Sequence, residues 1–204
     1  MAYPSVAGPY GLVPINLVGG QVFAGATRQI PLGTGSTTAI YNGDVVKLLN
    51  TGLLTKEAGT DAFVAAVGVF LGCSYTDATF GKTFRQYYPG AVTASDIVAY
   101  VCDDPDTLFK VAVVSATTVI SYVTRSAVGE NAVLVQNAGN TATGDSKNAV
   151  SSTTATTSTF PLRVIDVVPE TQSSTGSYTE VIVKFTPPSD GATGGHIYYR
   201  AAGV

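Results

Sequence analysis

Between Val67 and Tyr75, the side chains Val67, Val69, Leu71, Cys73 and Tyr75 fall on every second residue, with Gly68, Phe70, Gly72 and Ser74 between them. A period of two places the sets on opposite faces of an extended backbone, so this stretch predicts a long strand. One of its faces is thin, because glycine lets another backbone or an aromatic ring come close. Val45 to Leu49 and Leu53 to Thr55 flank a turn at Asn50 to Gly52 and predict a hairpin. KTFRQYYPG, DIVAYVCD, LFKVAVVSA, AVLVQN, FPLRVIDVV and YTEVIVKF add further strands, and in the last Val181, Val183 and Phe185 alternate with Glu180, Ile182 and Lys184. No window of about 11 residues or more carries a helical stripe. Many short strands with turn signals between them imply an all-β chain, a single β-barrel or β-sandwich domain.

The ends differ from the middle. Residues 1–30 combine Pro4, Pro9 and Pro14 with Tyr3, Tyr10, Leu12, Ile15, Leu17 and Phe23. Proline fixes an extended course, and so many aromatic and branched residues do not belong in a disordered tail. An extended N-terminal arm is expected, burying its apolar groups on its own domain or on a neighbour. Residues 31–190 then form the β domain. Within it, the Thr/Ser-rich segment 139–159 is expected to be a flexible surface loop, with an edge strand as the alternative. A glycine-rich hinge leads to a short C-terminal contact tail, residues 191–204, with Tyr198, Tyr199 and Arg200.

Charge narrows the function. Only 12% of residues are charged, 45% are hydrophobic, mean hydropathy is +0.26 and the net charge is -3. Such a neutral surface tends to associate and does not suit nucleic acid, the more so because the arginines Arg28, Arg85, Arg125, Arg163 and Arg200 form no run. Prolines interrupt the N-terminus and no basic segment precedes them, so a signal peptide is not expected. No apolar run reaches the roughly 18 residues of a membrane helix. A soluble chain with no membrane partner is expected.

The strongest chemical signal is YVCDDPDTLFKV, which sets Asp103, Asp104 and Asp106 beside Cys102. A calcium loop would need a turn glycine and a closing glutamate, and here Pro105 stands mid-loop with Leu108 and Phe109 following. Asp-Pro is turn chemistry, Asp104 accepting from backbone N–H groups while Pro105 presets the corner. A weak cation site and catalysis are the lesser alternatives. His196, the only histidine, reads as a polar tail residue with no nucleophile motif around it. GTGSTT lacks the lysine of a phosphate loop and reads as a turn. Cys73 and Cys102 read as small buried hydrophobes, a disulfide between neighbouring strands being the alternative. Tyr87-Tyr88 and Tyr198-Tyr199 set amphipathic rings near turns or ends, where they suit strand packing, protein contact or sugar stacking.

Taken in order, PYGLVPINLVGGQVFAGATRQIP, YNGDVVKL, VGVFLGCSYTD, KTFRQYYPG, VAYVCDDPDTLFKV and RVIDVVPET…EVIVKF resemble a family of small head proteins of tailed bacteriophages, common among cyanophages. The likeness spans nearly the whole chain, and the GDVV…G element also resembles small β-barrel decoration folds of other phages. The resemblance implies a capsid decoration, or cement, protein that is all-β and sits at three-fold positions as a homotrimer. Its partner would be the major capsid protein, its place the outer capsid surface of the virion after synthesis in the host cytoplasm. It would not be an enzyme and would need no metal or cofactor. On this view the arm, through Tyr3, Tyr10, Leu12, Ile15 and Phe23, and the tail, through Tyr198, Tyr199 and Arg200, reach neighbouring subunits. Trimming the first 25 residues is then expected to leave a folded domain that no longer binds heads, and an oligomer is expected to bury the Gly68/Gly72 face or the sheet edges. The alternative is a virion surface module binding host-cell polysaccharide, with tyrosines as stacking platforms.

Overall fold

A computed structural model of the chain describes residues 8–60, 66–171, 178–187 and 195–199. In chain order its strands are β1 (Val13–Leu17), β2 (Arg28–Pro31), β3 (Val45–Leu48), β4 (Leu54–Lys56), β5 (Ala66–Asp77), β6 (Gly81–Arg85), β7 (Val98–Cys102), β8 (Thr107–Val114), β9 (Asn131–Val135), β10 (Ala149–Ala155), β11 (Leu162–Val167) and β12 (Glu180–Phe185). Among the described residues the only helical pieces are short 3₁₀ turns, such as Arg125–Ala127 and Ile197–Tyr199, and no helix is long and apolar enough to cross a membrane. The chain is all-β, as its alternating pattern dictates.

The first sheet runs β1-β8-β10-β9-β11-β12, and β12 returns to pair with β8, closing a five-stranded barrel. Closure leaves the five strands of the barrel without an open edge. β8 serves two partners along one edge, since Thr107 to Lys110 pair with β1 while Val113 and Val114 pair with β10. The second sheet runs β2-β7-β5-β3-β4, with β6 also on β5. β5 is long enough to divide its edge in the same way, Ala66 to Val69 pairing with β3 and Cys73 to Asp77 with β6. The β3–β4 hairpin matches the sequence expectation, with Leu48 opposite Leu54.

Phe109, Val111, Leu134, Val164, Val183 and Phe185 fill the barrel and continue into Val45, Val69 and Cys102 of the second sheet. A second cluster under that sheet gathers Ile30, Val46, Phe70, Tyr75, Tyr88 and Val101. The two layers also meet through polar groups. Asp44, fully buried, accepts from Ser146 Oγ at 2.6 Å, Asn148 Nδ2 at 2.9 Å, Lys56 Nζ at 2.8 Å and the Tyr41 backbone N–H at 2.9 Å. A buried carboxylate is tolerable only when its lone pairs are filled in this manner.

Several expectations need correction. The described part of the arm is built into the domain: β1 pairs with β8, β2 pairs with β7, and Leu12 is 0% exposed inside the barrel core. Leu12 therefore cannot anchor a neighbour, and trimming the first 25 residues would remove a paired strand and a core side chain. The Thr/Ser-rich segment is not a free loop. Residues 139–148 cover the second sheet, where Asn42 and Gly144 share a hydrogen bond, and β10 is an inner strand of the barrel between β8 and β9. Its serine and threonine hydroxyls hid the apolar alternation that marks the other strands. The thin face of β5 is also occupied from within: a Cβ on Gly68 would lie 2.0 Å from the Cys102 carbonyl oxygen. This is the close backbone approach expected of the glycines of β5, made at Gly68 by β7 of the same sheet.

Candidate functional site

The acidic stretch is a turn joining β7 to β8. Asp104 Oδ1 accepts from the Asp106 backbone N–H at 2.8 Å, the local bond that Asp-Pro chemistry predicts. The three carboxylates do not converge. Asp103 pairs with Arg28 Nε at 2.8 Å and accepts from the Tyr198 hydroxyl at 3.0 Å, whereas Asp106 pairs with Lys184 Nζ at 2.7 Å and accepts from the Tyr199 hydroxyl at 3.1 Å. Among the described residues no group of three His, Cys, Asp or Glu could hold a metal ion. Lys184 beside Asp106 holds that carboxyl below the ordinary carboxylate value.

These contacts make a clasp. The C-terminal turn Ile197–Tyr199 lies over the 103–106 corner, with Arg28 5.7 Å from the centre of the Tyr198 ring and Lys184 5.6 Å from that of Tyr199. Both tyrosines are thus engaged within the chain, although Tyr198 remains half-exposed. His196 pins the clasp and is not a polar tail residue. It is fully buried, its backbone bridges Ala66, and its ring packs against Phe185, Tyr198 and Tyr199. Nδ1 accepts from the Tyr198 backbone N–H at 3.2 Å. Burial pushes the imidazole pKa down to about 4, against the opposing pull of the Val67 backbone, Asp103 and Asp104.

The remaining sequence candidates scatter. The Tyr10 hydroxyl donates to Glu180 beside the barrel, and burial together with that carboxylate raises its pKa. Ile15 is half-buried in β1, and Phe23 packs on the barrel core. Tyr3 and Arg200 lie outside the described residues. Cys73 and Cys102 are free and buried, which excludes the disulfide alternative, and burial pushes the Cys73 thiol up to about 11. Tyr87 stacks on Tyr41 at 5.4 Å, and Tyr88 is core.

The largest exposed apolar groups lie where sequence reading placed no site, on the β5–β6 hairpin. Asp77 caps its turn by accepting from the Thr79 and Phe80 backbone N–H groups. Phe80 at the turn is 77% exposed and Phe84 on β6 is 70% exposed. β6 pairs only with β5 among the described strands. Beside Phe84 a cleft of about 420 Å³ opens, lined by Asn42, Gly72, Arg85, Gln86 and Tyr100. The signal available in the sequence was KTFRQ itself, a phenylalanine between two cations, but its side of the strand was undefined until β5 and β7 were paired. Smaller apolar exposures occur at Val18 and Val22 after β1, and at Val119, Ile120 and Tyr122 after β8.

No protein-family model, curated protein or solved structure matches this chain.

Proposed function

We propose that this protein is a non-catalytic virion component that attaches to the outer surface of a tailed-phage capsid as a decoration, or cement, protein, with the major capsid protein and further copies of itself, as a homotrimer, for partners. The resemblance of its phrases to phage head proteins supports this, as does its all-β fold. The observation that carries the proposal is the pair Phe80 and Phe84, held out on a two-stranded hairpin anchored by the long strand β5. Exposed rings each bring about 150–250 Å² to a contact, and aromatic anchors on a rigid element are what dominate association energies. The hairpin thus takes the attaching role that sequence reading gave to the arm.

The test is the double variant Phe80→Ser/Phe84→Ser, mixed with undecorated heads and followed by co-sedimentation. Neither ring is in the core, so the variant should melt close to wild type. Attachment should weaken at least about thirtyfold, the loss of one strong aromatic anchor. Undiminished attachment would remove the hairpin from the contact, and light scattering of the wild type reads the oligomer directly.

A further inference from the structure

The outer wall of the barrel carries a surface that the hairpin does not explain. On β11, Leu162 and Val164 are buried in the barrel core while Arg163 and Ile165 are exposed, so the last two share the outer face. Arg163 stands directly opposite Lys184 of β12, which puts Lys184 on the same face. The register slips between Val164 and Asp166 and leaves Ile165 as the extra residue of a bulge, a device that re-aims a side chain. Arg163, Ile165 and Lys184 line a cleft of about 380 Å³ together with Val18 after β1, Pro187 after β12 and Tyr199 of the clasp.

Charge in the cleft is unbalanced. Like charges directly opposite each other on two strands repel. Lys184 is answered by Asp106 at 2.7 Å, and the neighbouring acid Asp166 is held by Arg125 at 3.0 Å, but no carboxylate among the described residues pairs with Arg163. Arg163 Nε donates to Asn131 Oδ1 at 3.0 Å. Asn131 flanks Arg163 on the β9 side, so this bond draws the guanidinium to the rim of the cleft away from Lys184. The terminal N–H groups of the fork make no hydrogen bond among the described residues, and a carboxylate is the group that satisfies them best.

The rest of the surface is apolar. Val18 is 51% exposed and Ile165 37%, and Val22, across the turn from Val18, is 75% exposed. Branched side chains left in water beside an unpaired guanidinium match a partner that brings an acid and an apolar group together. In an extended segment, residues two apart point to one side and lie roughly 6–7 Å from each other, the sequence spacing from Arg163 to Ile165. We propose that this face docks an extended segment of another protein in which an acidic residue, on Arg163, and a branched apolar residue, against Val18 and Ile165, stand two positions apart. This goes beyond capsid attachment through the hairpin and does not depend on it.

The test is a titration of the full chain with the end-capped pentapeptide Gly-Glu-Ala-Leu-Gly, followed through the Arg163 Nε–Hε and the Val18 and Ile165 methyl resonances. All three should shift saturably. Glutamine in place of the peptide's glutamate should weaken binding at least about threefold, the worth of an exposed ion pair, and lysine there should abolish it. Arg163→Gln should cause the same loss and make the glutamate and glutamine peptides equal, whereas Ile165→Ser should weaken both alike. Both residues are exposed, and the melting temperature of each variant checks that it is folded. Absence of a saturable shift, or equal binding of the glutamate and glutamine peptides by the wild type, overturns the proposal. An oligomer that light scattering finds in the wild type and not in Ile165→Ser would overturn it in favour of a second copy on this face. Phe80 and Phe84 take no part in this assay, so the two proposals fail independently.

Discussion

Acidification should weaken the fold through His196. The imidazole is fully buried, its pKa lies at about 4 against an ordinary 6.5, and it is therefore neutral in the folded chain. A depressed histidine pKa means that the unfolded chain binds the proton more tightly, so stability is fully present above about 6.5 and is lost as pH falls toward 4. The displacement corresponds to roughly 3 kcal/mol at full titration, of which about 2 kcal/mol is lost by pH 5. The groups facing the ring do not reverse this: Asp103 and Asp104 favour the proton, Arg28 opposes it, and burial exceeds all three. Asp106, held low by Lys184, destabilises the clasp only below the ordinary carboxylate value of 3.8, outside this window. Urea or thermal unfolding at about pH 7.5 and about pH 5 should show a loss of about 2 kcal/mol, or roughly 4–8 °C in Tm. Protection factors at the His196 and Tyr199 amides, corrected for the intrinsic pH dependence of exchange, should fall in step. His196→Phe cannot titrate and keeps a ring against Phe185, so its loss between the two pH values should be smaller by about 2 kcal/mol. If wild type and His196→Phe fall in parallel, the buried imidazole is not the cause.

Two further substitutions probe the joints of the fold. Gly68→Ala would drive a methyl group to 2.0 Å from the Cys102 carbonyl at a φ of +151°; β5 and β7 would have to separate, and denaturant melts should show a loss of at least about 3 kcal/mol, or no folded protein. Asp44→Ala would leave Lys56, Ser146 and Asn148 without their shared acceptor, and urea unfolding should register about 3–5 kcal/mol, as for other broken buried charge networks, whereas the exposed pair Lys82–Asp96, with side chains 49% and 44% exposed, should be removable at under about 1 kcal/mol.

Local pattern carried the sequence reading where apolar residues recur at strand spacing, although in β5 register shifts send Val69 and Leu71 to the barrel cluster and Val67, Cys73 and Tyr75 to the second one. β5, β7, β8 and β12 announce themselves by period two, and the Asn50–Gly52 turn fixes the β3–β4 hairpin. The Asp103–Asp106 corner was legible for the same reason, because an Asx turn is closed by its own neighbours. Elements whose partners are distant in sequence were not. β1 looked like an arm because prolines and isolated apolar residues show no period, yet β8 supplies its hydrogen bonds about a hundred residues away. β10 carries hydroxyls where other strands carry methyl groups, and only its place between β8 and β9 makes it a strand.

What the sequence determined by itself was class and local chemistry: an all-β chain of low charge, with one histidine, two cysteines and an Asp-Pro turn. Tertiary structure decided which surfaces are left over. It buried Leu12 and His196, turned Tyr198 and Tyr199 onto the chain's own acidic corner, and left Phe80 and Phe84 facing outward. The physical reason is that side-chain type sets what a residue gains from burial, while exposure depends on which strands pair, and strand pairing here joins segments far apart along the chain.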